Sequence, residues 1–327
     1  MDHRLLGKTG YPVSRIGFGA WPIGSDYGST NDQTSLAALH AAADAGVNFF
    51  DTADVYGDGR SERLIGRFLR ERPGERLYVA TKIGQRAPLD MANYTPAALR
   101  SWVDDCRENL QVERLDLVQL HCLPTPIYYR PDLFEALDEL VAAGAIGYYG
   151  VSVEKVEEGL KAIEFPGVAT VQIIFNLLRQ RPLDHFLAEA ARRDVGVIAR
   201  VPLASGLLTG KFTAGSTFEA TDHRSYNRHG EEFDVGETFA GIDFATGLRV
   251  VERLRPLVPD GASLAQLALR WILMHDAVQV AIPGAKTPEQ ARANASAADL
   301  GPLDEPTMAA IAAIYEADVK PSVHQRW

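Results

Sequence analysis

Four polar residues, Asp51, Tyr56, Lys82 and His121, stand at or just beyond the ends of short apolar runs. Asp51 closes VNFFD, Lys82 closes LYVATK and His121 closes LDLVQLH, while Tyr56 follows Asp51 by five residues in a glycine-rich turn. Runs of this length read as buried strands, and an ionisable group closing one after another is a poor way to build a core. The set has a definite chemistry. A phenol has a reference pKa of about 10, too high for proton exchange near neutrality. An adjacent ammonium favours the phenolate and should lower that value. Lys82 supplies the ammonium, Asp51 keeps it charged and oriented, and His121 offers a second hydrogen bond to the oxygen that receives the proton. Such a tyrosine acid beside a polarised oxygen suits carbonyl reduction by hydride and its reverse. No side chain donates hydride, so a cofactor is required and the chain's part is to position it. Each residue also has a plainer use: Asp51 as a turn former, Tyr56 as a surface aromatic, Lys82 as a solvated strand end, His121 as a structural histidine.

Whether the four meet depends on the elements that carry them. Strand-like runs end near Gly19, Asp51, Thr81, Gln119, Val151, Ile174, Val201 and Ile282. Helix-like stretches at 32–45, 61–71, 96–109, 132–143, 153–162, 183–193, 264–274 and 288–298 separate most of them. Thr95-Pro96 and Thr287-Pro288 each place a capping hydroxyl before a proline at the first helical position, and Thr287-Pro288-Glu289-Gln290 fits a capping box. Eight strand–helix units with strands apolar on both faces predict an α/β fold, an (α/β)8 TIM barrel. The doubly wound alternative wants G-x-G-x-x-G after its first strand, and GFGAWPIGSDYG lacks that spacing. In a barrel, chemistry sits at the C-terminal strand ends, so Asp51, Lys82 and His121, closing strands two, three and four, share one rim. A β-hairpin of RLLGKTG and YPVSRIG opens the chain. The stretch 204–241 reads as a long irregular lid, clamp or partly disordered segment. A helix over 305–317 precedes a tail ending in a tryptophan expected to pack against the barrel, over its mouth. One domain spanning 1–327 accommodates all of this.

A dinucleotide needs a grip on its carboxamide, a phosphate cradle and a seat for its adenosine end. Ser152 and Gln172 are polar groups near the ends of strands five and six that can bond a carboxamide, with Asn176 nearby. The glycines of RVPLASGLLTGK permit close backbone approach, and Lys211 adds positive charge. After strand eight, Gly284 opens a turn, Lys286 is a counter-charge for an additional phosphate, and Gln290 and Asn294 share one helical face, with Arg292 close by. Trp21 could wall a substrate pocket with Tyr56 and His121, or simply pack in the core. Metal chemistry is disfavoured, because catalytic zinc typically has three protein ligands and no second histidine closes a strand.

The net charge of −10 argues against nucleic-acid or anionic-membrane binding. There is no run of about 18 apolar residues and no apolar signal core at the start, and only Cys106 and Cys122 are thiols, so a cytoplasmic location is expected.

These motifs resemble the aldo-keto reductases over nearly the whole chain. DTADVYGDGRSERLIG resembles the family's second-strand signature, and VATKIG and VQLHCL carry the other two members of its catalytic tetrad. GVS at 150–152, VQIIFN at 171–176, PLASGLLTGK at 202–211 and IPGAKTPEQ at 282–290 fall where that family holds its nicotinamide cofactor. The resemblance implies NADPH/NADP+ and no metal. It makes Tyr56 the proton donor, Asp51 and Lys82 its tuning pair, and His121 the substrate-orienting residue. The hairpin would plug the barrel floor. Implied cofactor contacts are Gly19, Trp21, Ser152, Gln172, Arg200, Pro202, Leu203, Gly206, Leu208, Lys211, Gly284, Lys286, Gln290 and Asn294. The IPGAK ending is similar to a bacterial branch that includes sugar and general aldehyde reductases and some sugar dehydrogenases.

Three positions depart from the family pattern. Val153 stands where many members have an asparagine for the carboxamide. Arg200 stands where many stack an aromatic on the nicotinamide, and a cation there should weaken binding of the oxidised ring. Gln290 stands where some branches place an arginine for the extra phosphate, so NADPH preference leans on Lys286. The expected activity is NADPH-dependent reduction of an aldehyde or ketone. The alternatives are an NAD(P)-linked sugar dehydrogenase working oxidatively and, from another class, a cofactor-binding regulatory or partner-binding subunit. Arg86, Tyr128, Tyr129, Arg130 and His223 could favour a polar or sugar-like substrate, and oligomeric state is not readable.

Overall fold

The computed structural model describes residues 1–24 and 27–327. Strands β1 (His3–Leu5) and β2 (Pro12–Ser14) pair antiparallel as the opening hairpin. Eight parallel strands follow in sequential order: β3 (Phe18–Gly19), β4 (Phe49–Asp51), β5 (Tyr78–Ile83), β6 (Leu115–His121), β7 (Ile146–Val153), β8 (Val168–Ile174), β9 (Gly196–Arg200) and β10 (Val280–Ala281). The first and last strands meet: Gly17 N–H donates to Ala281 O at 2.8 Å, and Gly19 N–H to Pro283 O at 3.0 Å. The sheet therefore closes into the expected barrel, with helices between successive strands.

The pleat explains why polar residues gather inside. Side chains alternate along a strand, so residues two apart share a face. At the barrel floor the inward residues are apolar: Phe49, Ala80, Leu117 and Ile198, packed with Leu6 and Val13 of the hairpin, which plugs that end. Two residues further along the same strands and the same face come Asp51, Lys82, Gln119 and Arg200. The outward face, with Phe50, Val79, Val118, Val171 and Val197, packs under the helices.

Helices over Asp32–Asp44, Arg60–Arg70, Pro96–Leu110, Pro131–Ala142, Leu264–Leu273 and Pro288–Ala295 follow the sequence reading closely. Thr95 Oγ1 accepts from Ala98 N–H at 3.1 Å and Thr287 Oγ1 from Gln290 N–H at 3.3 Å, so both caps form. The capping box does not close, because Gln290 Oε1 accepts from Lys286 N–H at 2.8 Å rather than from its own cap residue. Expected starts at 153 and 183 were early: β7 runs to Val153 and the helices occupy Val156–Ala162 and Phe186–Arg192. The 204–241 stretch is not one irregular lid. It holds 3-10 turns at Ala204–Thr209, Val235–Glu237 and Phe239–Gly241 and a helical turn at His223–Tyr226. A helix over Phe244–Leu254, not anticipated, follows it, capped by Asp243 and buried through Val250, Val251 and Leu254. Among the described residues no helix is long and apolar enough to cross a membrane.

The tail packs as expected but holds the side of the site rather than covering its mouth. Trp327 is 4% exposed, with its ring centroid 3.5 Å from the Arg179 guanidinium carbon and its Nε1–H donating to Asp234 at 2.9 Å. A Cβ on Gly241 would collide with this indole, so the 234–241 segment is moulded to it. Trp327→Ala should lower stability by about 3–5 kcal/mol, the usual cost of emptying a large aromatic site. Guanidinium unfolding followed by far-UV circular dichroism measures this, and an unchanged midpoint would show the indole to be dispensable.

Candidate active site

The four strand-end residues converge. Lys82 Nζ donates to Asp51 Oδ1 at 2.6 Å, to Thr52 O at 2.8 Å and to Tyr56 Oη at 3.1 Å. Asp51 and Lys82 are both buried, and Asp51 Oδ2 accepts from Gln172 Nε2 at 2.7 Å and Gln119 Nε2 at 3.3 Å. Every oxygen of this buried carboxylate is thus met, which is the condition for keeping a charge away from water. Tyr56 leaves the strand in the turn before the Arg60–Arg70 helix. A Cβ on Gly24 would sit 2.9 Å from the Tyr56 backbone, so glycine lets the two loops touch and fixes the phenol over the rim. Its ring lies near-parallel to Trp21 (17°, centroids 6.0 Å apart) and edge-on to His121 at 5.8 Å.

The electrostatics correct one expectation. Tyr56 is not tuned downward. Burial above all, then the Asp51 and Glu237 carboxylates, holds its pKa well above the ordinary phenol value, against the opposing pull of Arg200. The phenol therefore carries its proton across the neutral range. His121 moves the other way. Burial, then the Lys82 and Arg200 cations, pushes it well below the ordinary histidine value, so the imidazole is neutral. Its Nδ1 is buried without a hydrogen-bond partner among the described residues.

A cleft of about 1020 Å³ opens over this group. Near the tetrad it is lined by Gly19, Trp21, Asp51, Tyr56, His121, Gln172 and Arg200. Further out come Pro202, Leu203, Gly206 and Lys211, then Gly284, Lys286, Gln290 and Asn294. Two expected contacts do not line it. Ser152 is fully buried below the rim with its Oγ 3.5 Å from Cys122 Sγ, and Leu208 is wholly in the core. Lys82 also lies beneath the surface, behind Tyr56 and Asp51. Gln172 reaches the cleft with its amide nitrogen already given to Asp51 and Gln119. Asn176 is satisfied within the protein, donating to Val201 O at 2.8 Å and accepting from Leu178 N–H at 2.8 Å. Lys286 Nζ donates to Tyr27 O at 2.7 Å, and Asn294 Nδ2 to Gly284 O at 3.1 Å. Arg292 stays outside, 3.5 Å from Glu289.

Arg200 is not the bare cation its position suggested. It pairs with Glu237, lies 3.1 Å from Glu154 Oε2, and donates to Val153 O at 2.9 Å. The polar substrate residues also change place. Arg86 pairs with Asp58 and Arg130 with Asp132, Tyr128 is buried under β7, and Tyr129 is exposed. His223 packs behind Trp21 with ring centroids 4.7 Å apart. The cleft is instead lined by Val55, Ala87, Pro88, Leu89 and Phe233, together with the polar Gln85, Glu232 and Asp234. Gln119, Cys122, Glu154 and Glu237 were overlooked. Gln119 carried the same signal as Gln172, a buried amide in an apolar strand.

Residues 15–316 match the aldo/keto reductase family, and the chain belongs to that family. It is 31% identical over 303 residues to the aldo-keto reductase YhdN of Bacillus subtilis, covering 90% of this chain and 87% of that one. It superposes on the holo form of the aldo-keto reductase AKR11C1 of Bacillus halodurans with a TM-score of 0.77 at 25% identity, over 99% of both chains. The glycerol dehydrogenase AKR11B4 of Gluconobacter oxydans gives a TM-score of 0.77 at 30% identity, over 98% of this chain and 96% of that one.

Proposed function

We propose that the chain reduces small aldehydes or ketones to alcohols with NADPH, Tyr56 giving the proton. The observation that carries this reading is the Tyr56 hydroxyl, 3.1 Å from Lys82 Nζ and bordering a cleft of about 1020 Å³. The residues present fit that cofactor: apolar walls near Tyr56, glycines at 206 and 284, and the lysines 211 and 286 toward the far end. Bound NADPH would supply the hydride. The chain's own residues do the rest. Tyr56 donates its proton to the carbonyl oxygen as charge develops there, and Lys82 stabilises the phenolate left behind. Neutral His121 holds the same oxygen by a hydrogen bond. Asp51, fixed by Gln119 and Gln172, holds Lys82 in place. The apolar wall of Val55, Pro88, Leu89 and Phe233 excludes water and favours a substrate with an apolar body.

Fluorescence titration with NADPH and NADH tests the reading directly, and failure of both to bind defeats it. Lys286→Met removes the cationic donor proposed for the extra phosphate. It should weaken NADPH by roughly 10- to 100-fold, the worth of one charged hydrogen bond, and leave NADH nearly unchanged. Equal weakening of both cofactors would reassign Lys286 to holding the loop at Tyr27.

A second reading, oxidation of a polyol or sugar, is favoured by the likeness to a glycerol dehydrogenase. Initial rates in both directions with a panel of aldehydes, aldoses and polyols separate the two.

A further inference from the structure

Glu154 follows the last residue of β7, and Glu237 sits in the Val235–Glu237 turn. The Arg200 guanidinium lies between them, paired with Glu237 and 3.1 Å from Glu154 Oε2. All three line the cleft beside His121. The carboxyl oxygens of Glu154 and Glu237 and the Cys122 sulfur lie within 4.8 Å of one another. The two carboxyl side chains are only 14% and 13% exposed. Two carboxyls this close, sharing one cation in a dry site, do not both ionise freely, and one retains a proton. Glu154 is that one. Burial, relieved in part by Arg200 and reinforced by Glu237 and Asp234, pushes it up to about 8. Among the described residues its Oε2 meets no donor in hydrogen-bond alignment, the Arg200 guanidinium being an ion-pair neighbour only.

The other groups facing it set the local charge. Arg200 comes from β9, Arg179 from beyond β8, and Asp234 and Glu237 from the segment Trp327 holds. The Cys122 thiol, from beyond β6, is held well above its ordinary pKa by burial, and the buried Tyr128 phenol likewise. Arg179, lowered by burial to about 9, is still a cation at neutrality. Two guanidinium cations then balance two carboxylates while Glu154 is protonated, and the cluster turns negative when it ionises.

We propose that Glu154 senses the charge of the nicotinamide, holding its proton opposite the uncharged reduced ring and releasing it opposite the positively charged oxidised ring. This rests on the cleft being the nicotinamide site. A cation brought close to a carboxyl favours its ionised form, and by linkage the ionised carboxyl favours the cation. The sign follows. Between the Glu154 pKa opposite the oxidised ring and its higher pKa in the free protein, the oxidised form binds with release of a proton. Above the higher value the carboxylate is already formed, so oxidised cofactor binds more tightly as pH rises through about 8. The reduced ring has no such gain. The negative cluster also answers the Arg200 charge, so the repulsion of the oxidised ring expected from a lone arginine is removed.

The ratio of dissociation constants, NADP+ over NADPH, isolates the effect, because phosphate titration is common to both forms. Between about pH 6.5 and 9.5 it should fall by about tenfold for each unit by which the ring lowers the Glu154 pKa. Calorimetry at pH 7 in buffers of different ionisation enthalpy should show NADP+ releasing more protons than NADPH. Glu154→Gln should flatten the ratio and equalise the proton counts. If that variant does not fold, the wild-type proton count alone decides. Both forms binding with a flat ratio and equal counts overturn the inference, as does proton release that persists in folded Glu154→Gln. Failure of either form to bind overturns the reading of the cleft instead.

Discussion

Tyr56→Phe is expected to cut carbonyl reduction by about 10²- to 10⁴-fold, the usual worth of a general acid, while NADPH affinity changes little. The substitution is narrow because the ring's packing against Trp21 and His121 needs no hydroxyl. The lost oxygen accepts from Lys82 Nζ at 3.1 Å, and that ammonium keeps Asp51 and the Thr52 carbonyl. One of the three ammonium N–H groups loses its acceptor and turns to the cleft, so stability should fall by about 1–2 kcal/mol. Because the proton moves only in the transition state, the loss belongs in kcat rather than in cofactor binding. Steady-state rates beside fluorescence titration of NADPH measure the split. Comparable losses in both would make Tyr56 a structural residue and remove the proton donor from the proposed reaction.

The positions of Asp51, Lys82 and His121 were legible because a strand repeats every two residues. Once the apolar runs are strands, the last inward residue of each must reach one rim. Gln119 obeys the same rule between Leu117 and His121, and its link to Asp51 could have been anticipated. The acidity of Tyr56 could not. Nearness to Lys82 suggested a lowered pKa, but burial, then the Asp51 and Glu237 carboxylates, reverse it; the depth of burial is set only by the folded chain, and Glu237 lies 181 residues downstream in a segment with no periodic pattern. Ser152 shows the limit of face without depth: it points inward, as expected of a polar residue in β7, yet stops below the cleft. The Phe244–Leu254 helix had a readable start in Asp243 and Thr246, hidden by the long irregular run before it. Arg200 was correctly placed at a strand end, but its charge is decided by Glu154 and Glu237, which only the folded chain brings to it.

Lys82→Met should have the largest effect on the fold as well as on the reaction. Lys82 and Asp51 side chains are 1% and 3% exposed, so methionine fills the space but leaves a carboxylate buried beside two amides. Breaking a buried pair on one side costs about 3–5 kcal/mol, and Gln119 and Gln172 should hold the loss to the lower end. The stranded Asp51 would then prefer to be neutral, its pKa raised above the unfolded value of about 3.9. A carboxyl raised in the folded state destabilises above the unfolded pKa and ceases to do so once both states are protonated. The stability gap between the native chain and Lys82→Met should therefore narrow as pH falls from 7 toward about 4. Adding Asp51→Asn removes the unpaired charge at neutral pH, and the double variant should recover much of the lost stability. Activity should not return, since the phenolate left by proton transfer still lacks its cation. Urea unfolding at both pH values, with rates for each variant, measures all three outcomes. A double variant as unstable as Lys82→Met would show that the loss lies in packing rather than in the stranded charge, and one that regained activity would remove Lys82 from the proposed proton transfer.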